Sequence, residues 1–431
     1  MGLFWSAGVA AQDASPSPAA PQRWNLYLQA TSIGQYHGSF DSPYSGRFSL
    51  ASHPEAEVSL TATLFLGLRV ARDTTVYIDP EIAGGRGFSA VNGIANFPNG
   101  EMPRVATATP KPYLARFYIT QDFALGEGRE AVESDSNQLA GSRPERRYSI
   151  TAGRFTLTDF FDNNRYSHDP RTQFMGWAVM YNGAWDYPAD TRGYTWGWMH
   201  ELHMKTWSLR YASAAEPRVA NGLRFDRRLL VDRGDVVEGE YRPTIASHAG
   251  TVRALAYFNH SDSGRYAEAL TLATPDVAAV HRAGTLKYGF GLNIEQEITK
   301  DVGVFGRLGW NDGKTESFAY AVIDRLASAG VSVTGTQWKR PHDTVATAFI
   351  ATGISGIHGL YLARGGYDFM LGDGQLRRGP EFTSESYYSA ELVKGFFATL
   401  DLQHVTNPAY NRDRGPVWIG ALRLHVEWGP R

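Results

Sequence analysis

The sequence predicts an all-β fold: a transmembrane antiparallel β-barrel of about sixteen strands, with short periplasmic turns, long external loops and one loop folded into the lumen. Three observations predict it. Apolar and polar residues alternate with a period of two along many segments, the mark of an extended strand with one greasy and one wet face. The segments are long: EVSLTATLFLGLRV (57–70) keeps its alternation over fourteen residues, where about five or six is usual for a soluble strand. The connections between segments alternate between short and long, as in a barrel whose turns line one rim and whose loops line the other.

Taken in order, strands are expected at 25–36, 57–70, 74–82, 112–124, 146–157, 193–203, 206–213, 236–243, 250–259, 286–298, 302–311, 315–323, 344–353, 384–393, 396–405 and 416–428. In 57–70 the apolar set is Val58, Leu60, Ala62, Leu64, Leu66, Leu68 and Val70. In 113–123, Tyr113, Ala115, Phe117, Ile119 and Phe123 oppose Arg116, Tyr118, Thr120 and Asp122. In 287–298, Tyr288, Phe290, Leu292, Ile294 and Ile298 oppose Lys287, Asn293, Glu295 and Glu297. In 418–428, Trp418, Leu422, Leu424, Val426 and Trp428 oppose Arg423, His425 and Glu427. Alternation is weak at 146–157, 236–243, 315–323 and 344–353.

Short gaps fall at 71–73, 204–205, 244–249, 299–301 and 394–395, and long ones at 37–56, 83–111, 158–192, 214–235, 260–285 and 354–383. Two gaps break the rule. The segment 125–145 is long where a short turn is due, and its polarity reads as a disordered insert; 324–343 hides a miscounted strand or a plug element. A soluble β-sandwich would alternate too, with its greasy face on a core, but its strands seldom run so long. Tyr and Trp gather at strand ends (Trp24, Tyr27, Tyr113, Tyr194, Trp196, Trp198, Trp207, Tyr211, Trp310, Tyr387, Tyr388, Trp418, Trp428), as interfacial girdles require.

Composition narrows the classes further. No window approaches the ~18 consecutive apolar residues of a membrane helix, which leaves a membrane β-barrel open. A net charge of −2 gives no bulk attraction to nucleic acid, and none is expected as a partner. With no cysteine, disulfides, thiolate metal sites and a cysteine nucleophile are excluded. LFWSAGVAA (3–11) followed by QDA resembles the end of a secretory signal, cleaved near Ala11, but no Lys or Arg precedes Arg23. Residues 1–22 are therefore read as a truncated signal peptide and a flexible linker, and 23–431 as a single barrel domain.

Arg154 is counted with the interior residues, and the strand registers put Arg69, Arg116, Arg210, Arg253, Arg307 and Arg423 inside, because a charge on the lipid face near mid-membrane costs roughly 2–4 kcal/mol. With Glu81, Glu295 and Asp401 they are the expected pore-lining set. A polar interior of about sixteen strands implies an aqueous channel. Mixed signs suit neutral polyols: arginine forks donate paired hydrogen bonds, carboxylates accept from hydroxyls, and Tyr or Trp flank a sugar ring. The alternative is that these charges pair with one another across the wall.

The longest loop, 158–192, holds Asp159, Asp162, Asn163, Asn164, His168, Asp169, Arg171, Gln173, Asp186, Asp190 and Arg192. Its middle, QFMGWAVMYNGAW, suits a short helix with inward aromatics. A loop of this length is usually functional or disordered, and its apolar content argues against disorder. It is read as folded into the lumen and narrowing it, the alternative being an external flap. HELH at 200–203 lacks the spacing of a zinc helix, GGRGFS (84–89) has no following Lys, and DNNRYSHD has arginine neighbours that disfavour a cation. No catalytic residue, metal or cofactor is expected.

The stretches FDSPYSGRFSL (40–50), DFFDNNRYSHDPRTQFM (159–175), AWDYPADTRGYTWG (184–197), KYGFGLNIEQEIT (287–299), GVFGRLGWNDGKTESFAYAVID (303–324) and NPAYNRDRGPVWIGALRLH (407–425) resemble the carbohydrate-selective porin family of Gram-negative outer membranes. The resemblance implies a sixteen-stranded barrel passing glucose-like monosaccharides and short oligosaccharides by facilitated diffusion, with 158–192 helping to form the constriction. Asp162, Asn164, Asp169, Arg171 and Gln173 take that role by motif position. The implied partners are sugars, outer-membrane lipid and further copies of the chain in a homo-oligomer. An outer-membrane barrel that handles or hydrolyses a glycan or lipid is the rival. The 125–145 insert, the incomplete leader and Gly429–Pro430–Arg431 depart from the family's pattern.

Overall fold

The computed structural model describes residues 21–102, 109–318 and 322–429. Sixteen long strands pair antiparallel in chain order: β1 (Trp24–His37), β2 (Glu55–Ala71), β3 (Thr74–Gly85), β4 (Lys111–Ala124), β5 (Arg147–Phe155), β6 (Thr195–His203), β7 (Trp207–Ala215), β8 (Arg233–Tyr241), β9 (His248–Ser263), β10 (Arg282–Thr299), β11 (Val302–Asn311), β12 (Arg325–Gly335), β13 (Arg340–Gly353), β14 (Glu381–Val393), β15 (Phe396–Thr406) and β16 (Val417–Trp428). β1 pairs with β16 from Leu28↔Trp428 to His37↔Ile419. The sheet therefore closes and leaves no edge, as a lipid-embedded backbone requires: each unpaired group there costs several kcal/mol. The residues of the expected leader and the last two residues lie outside the described ones.

The period of two decides what faces lipid. Leu60, Leu64, Ile119, Phe290, Leu400, Leu422 and Leu424 point outward at 40–68% exposure, while Thr61, Thr63, Asn293, Arg423 and His425 between them are buried. Aromatics mark both rims. Trp24, Trp207, Tyr241, Trp338 and Trp428 lie at the short-turn end, and Tyr36, Trp196, Trp310 and Trp418 lie at the other. Tyr113, Tyr194 and Tyr387 are not girdle residues as expected; they face the interior, where Tyr194 and Tyr387 are buried.

The strand expected at 315–323 is not one. Its described residues belong to the β11–β12 loop, 319–321 lying outside them, and the strand is β12, the eleven residues RLASAGVSVTG that begin at Arg325. Small residues on both faces of β12 hide its period. The β12–β13 turn is then short, and the second break in the turn rule disappears. β13 alternates weakly because both faces are apolar: Val345 and Phe349 face lipid, while Ala346, Ala348 and Ile350 pack inward. The inward face meets the loop between β5 and β6. A single helical turn, Trp177–Met180, packs on β12 and β13, and Phe174, Trp177 and Trp185 share one hydrophobic cluster with Phe305, Leu326 and Ile350.

Glycines let this loop lie close to the wall. Gly291 and Gly309 are register partners on β10 and β11. A Cβ on either would fall within 2.3 Å of the Asn182 side chain, so the pair forms a notch for Asn182. Arg307, fully buried, closes the same region. It donates to Asp162 Oδ2 (3.0 Å), Ser167 Oγ (2.6 Å) and the carbonyls of Val179 (2.8 Å) and Ser167 (2.8 Å).

The 125–145 segment is ordered, contrary to the reading of it as a disordered insert. Arg129–Val132 pairs with Gly141–Pro144, and Asp135 and Gln138 exchange both backbone hydrogen bonds at 3.0 Å around a Ser136–Asn137 turn. Asn137 supplies the left-handed residue (φ 55), a conformation asparagine tolerates. Among the external loops, His358 of the helix Gly356–Ala363 bridges Asp324 (2.9 Å) and Asp368 (2.6 Å), all three buried. Burial alone would lower the imidazole pKa, but the carboxylates of Asp368 and Asp324 outweigh it and push it up to about 9.

Candidate functional site

A cavity of about 820 Å³ opens inside the barrel beside β1–β4. Its wall is shaped by one proline. Pro80 has no N–H to give the ladder and sits within β3, where the register passes from Asp79↔Arg116 to Pro80↔Leu114, leaving Ala115 as a bulge in β4. The bulge reverses the phase of β4. Tyr113, expected on the lipid side with Phe117, turns inward and donates its hydroxyl proton to Glu81.

Two strand side chains and two loop side chains then meet. Arg171 donates to Glu81 Oε2 (2.9 Å), Glu101 Oε1 (2.7 Å) and Thr63 Oγ1 (3.1 Å). Its turn is set locally, because the Arg171 N–H donates to Asp169 Oδ1 (2.9 Å) and the His168 N–H to Gln173 Oε1 (2.7 Å). From the neighbouring strand β16, which pairs with β1, Arg423 donates to the carbonyls of Pro170 (2.8 Å) and Gln173 (2.6 Å). Arg116 grips Asp159 with two hydrogen bonds of 2.7 Å and faces Asp79 at 3.5 Å. These forks are bidentate or shared, the geometry in which guanidinium–carboxylate contacts are strongest.

Arg192 differs. Its guanidinium stacks over the Tyr113 ring at 4.2 Å and makes no ion pair among the described residues. Trp177, Tyr181, Tyr187 and Tyr194 line the same cavity, Trp177 and Tyr187 stacked at 6.0 Å. The His168 ring meets Tyr181 edge-on at 5.2 Å.

Of the expected residues, Glu81, Arg116, Asp159, Asn163, His168, Asp169, Arg171 and Arg192 line this cavity. Others do not, and each has a structural partner instead. Arg69 donates to the carbonyls of Gln22 (3.0 Å) and Ala140 (3.2 Å). Arg154 pairs with Asp190 (2.7 Å), Arg210 with Glu201, Glu238 and Glu240, and Arg253 with Glu240 and Glu295. Arg307 and Asp162 anchor the loop, Asn164 bonds Asn293 (2.8 Å), Asp186 pairs with Lys287 (3.2 Å), and Asp401 accepts from Gln403 (3.0 Å). Gln173 and Arg423 hold the Arg171 turn. Burial in this wall requires pairing, since an isolated buried charge is costly. Sequence reasoning missed Glu101, Tyr113 and Tyr194 as site residues. Pro80 in a strand interior was the signal for Tyr113; Glu101 carries none.

The model of the carbohydrate-selective porin, OprB family, matches residues 49–428. No curated protein matches the chain. Among solved structures, the high-pH structure of Pseudomonas putida OprB aligns with a TM-score of 0.70 at 14% identity, covering 94% of both chains. Its low-pH structure aligns at 0.50 and 10%, covering 94% of this chain and 92% of that one. A Salmonella typhi OmpF complex with daunomycin aligns at 0.50 and 8%, covering 94% and 97%. At such identities the structural likeness speaks for the barrel, and the family match speaks for kinship: the chain belongs to the OprB family of carbohydrate-selective porins, channels of the Gram-negative outer membrane.

Proposed function

We infer that the protein is a passive pore for glucose-like monosaccharides and short oligosaccharides, with the 158–192 loop as its constriction. The observation that carries this reading is the Arg192 guanidinium, unshared by any described carboxylate, over Tyr113 in a cavity faced with Trp177, Tyr181 and Tyr187. Such a fork donates paired hydrogen bonds to adjacent hydroxyls, and aromatic faces cover the apolar side of a sugar ring. Charges of both signs surround it, which supports neutral solutes over anions. Binding at the narrow point must stay weak, so that sugar leaves as readily as it arrives. No covalent step and no energy source is needed.

The test is a planar-bilayer recording of the purified protein. Glucose or a maltose-like sugar is expected to block the ionic current partly and in proportion to its concentration. Current unaffected by every sugar tried would reduce the protein to a general pore. Under the rival hydrolytic reading, His168→Ala abolishes turnover of a glycan or lipid; under this one it changes permeation only.

A further inference from the structure

We propose that the hairpin of residues 125–146 is a second selectivity element, which enters from the short-turn rim and forms the floor of a polyol subsite whose roof is the 158–192 loop. The proposal rests on the sugar-pore reading and adds a place where the solute is held. Other connections at this rim are as short as two residues, 72–73 and 394–395. This one is an order of magnitude longer and is aimed inward. Its tip residues Ser136, Asn137 and Gln138 line the same cavity as Arg171 and Arg192.

The tip is held rigidly. Arg129 pairs with Asp73 (2.6 Å), Arg143 grips Asp122 (2.6 and 3.0 Å), and Arg147 pairs with Glu130 (2.9 Å). The Asn25 amide of β1 donates to the Gln138 carbonyl (2.7 Å), and Leu139 is buried behind it. Asn137 Nδ2 donates to Asp79 Oδ2 (2.8 Å), which faces Arg116, which grips Asp159. One chain of contacts thus runs from the hairpin through the wall to the constriction loop. The Asn137 carboxamide oxygen has no partner although it is shielded from solvent. A carboxamide and a hydroxyl each donate and accept. The floor therefore offers neutral donors and acceptors beside a single carboxylate, Asp135, and it selects by size and hydrogen bonding.

The test compares the wild-type channel with three variants in bilayers and liposomes, folding being checked by heat-modifiable electrophoretic mobility. Replacing residues 127–144 by a two-residue turn is expected to raise the single-channel conductance and to extend liposome swelling to larger sugars. The double variant N137A/Q138A is expected to weaken the sugar block about three- to tenfold, the range of one or two lost hydrogen bonds. Because the chain has no cysteine, S136C offers a unique thiol, and thiol reagents of growing size are expected to lower its current stepwise. If a sugar-blocked wild type stands beside a folded deletion variant of the same conductance and size limit, or beside an S136C channel indifferent to labelling, the hairpin's role is overturned. A wild type that no sugar blocks overturns the sugar reading instead.

Discussion

At the scale of one side chain, Arg192 stands apart from the other arginines of the cavity because no described carboxylate neutralises it. Arg171 and Arg116 are each held by two carboxylates. R192A is therefore expected to weaken glucose block about tenfold, the loss of roughly 1–1.5 kcal/mol of hydrogen bonding and stacking, with the salt conductance kept. Titrating the block at fixed voltage measures it. Gly309 makes the second residue-scale prediction. An added Cβ there lies 2.1 Å from Asn182 Oδ1, whereas at Gly420 nothing lies within 4 Å. G309A should lower stability by about 1–3 kcal/mol, seen as an earlier loss of heat-resistant mobility, and G420A should not. Neither Arg192's isolation nor the glycine notch was legible in the sequence, because both depend on where a distant loop comes to rest. Tyr113 was closer to legible: a proline inside a strand of a closed barrel has no edge to occupy, so it must mark a bulge.

At the scale of elements, strands with one wet face, and β13 with two apolar ones, were read within a few residues of their observed ends, whereas β12, small on both faces, was not. β12 was displaced onto 315–323 because Ala327, Ser328, Ala329 and Gly330 give no contrast between faces. The external loops offer a pH test. His358, raised to about 9 from an ordinary value of 6.5, donates to both Asp324 and Asp368 when protonated. Tyr266 stacks on it at 4.3 Å and bonds Asp368. A histidine whose folded pKa is raised contributes fully below its unfolded pKa and loses that contribution as pH rises through the folded one. The unfolding midpoint should therefore fall as the pH rises from about 6.5 to about 9. H358Q should flatten that profile in a thermal melt series.

At the scale of the whole molecule, the barrel class was legible because lipid enforces alternation on every strand that crosses it, and Leu64 shows the price. L64K places a charge on the outer face and should destabilise the barrel by roughly 2–4 kcal/mol, measured by urea titration in lipid vesicles. What alternation does not encode is how the interior is filled. The loop between β5 and β6 packs its aromatics on β12 and β13 and ties itself to β8, β10 and β11, while the open cavity lies beside β1–β4. The water path is consequently eccentric. The larger space lies along one arc of the cylinder, and across from it only a smaller cavity of about 320 Å³ remains, against β10–β16 near the short turns. Random substitution across the chain should then split by longitude: changes in solute choice should map to β1–β4 and the loop's wet side, and changes in yield and heat resistance to the strands the loop packs on.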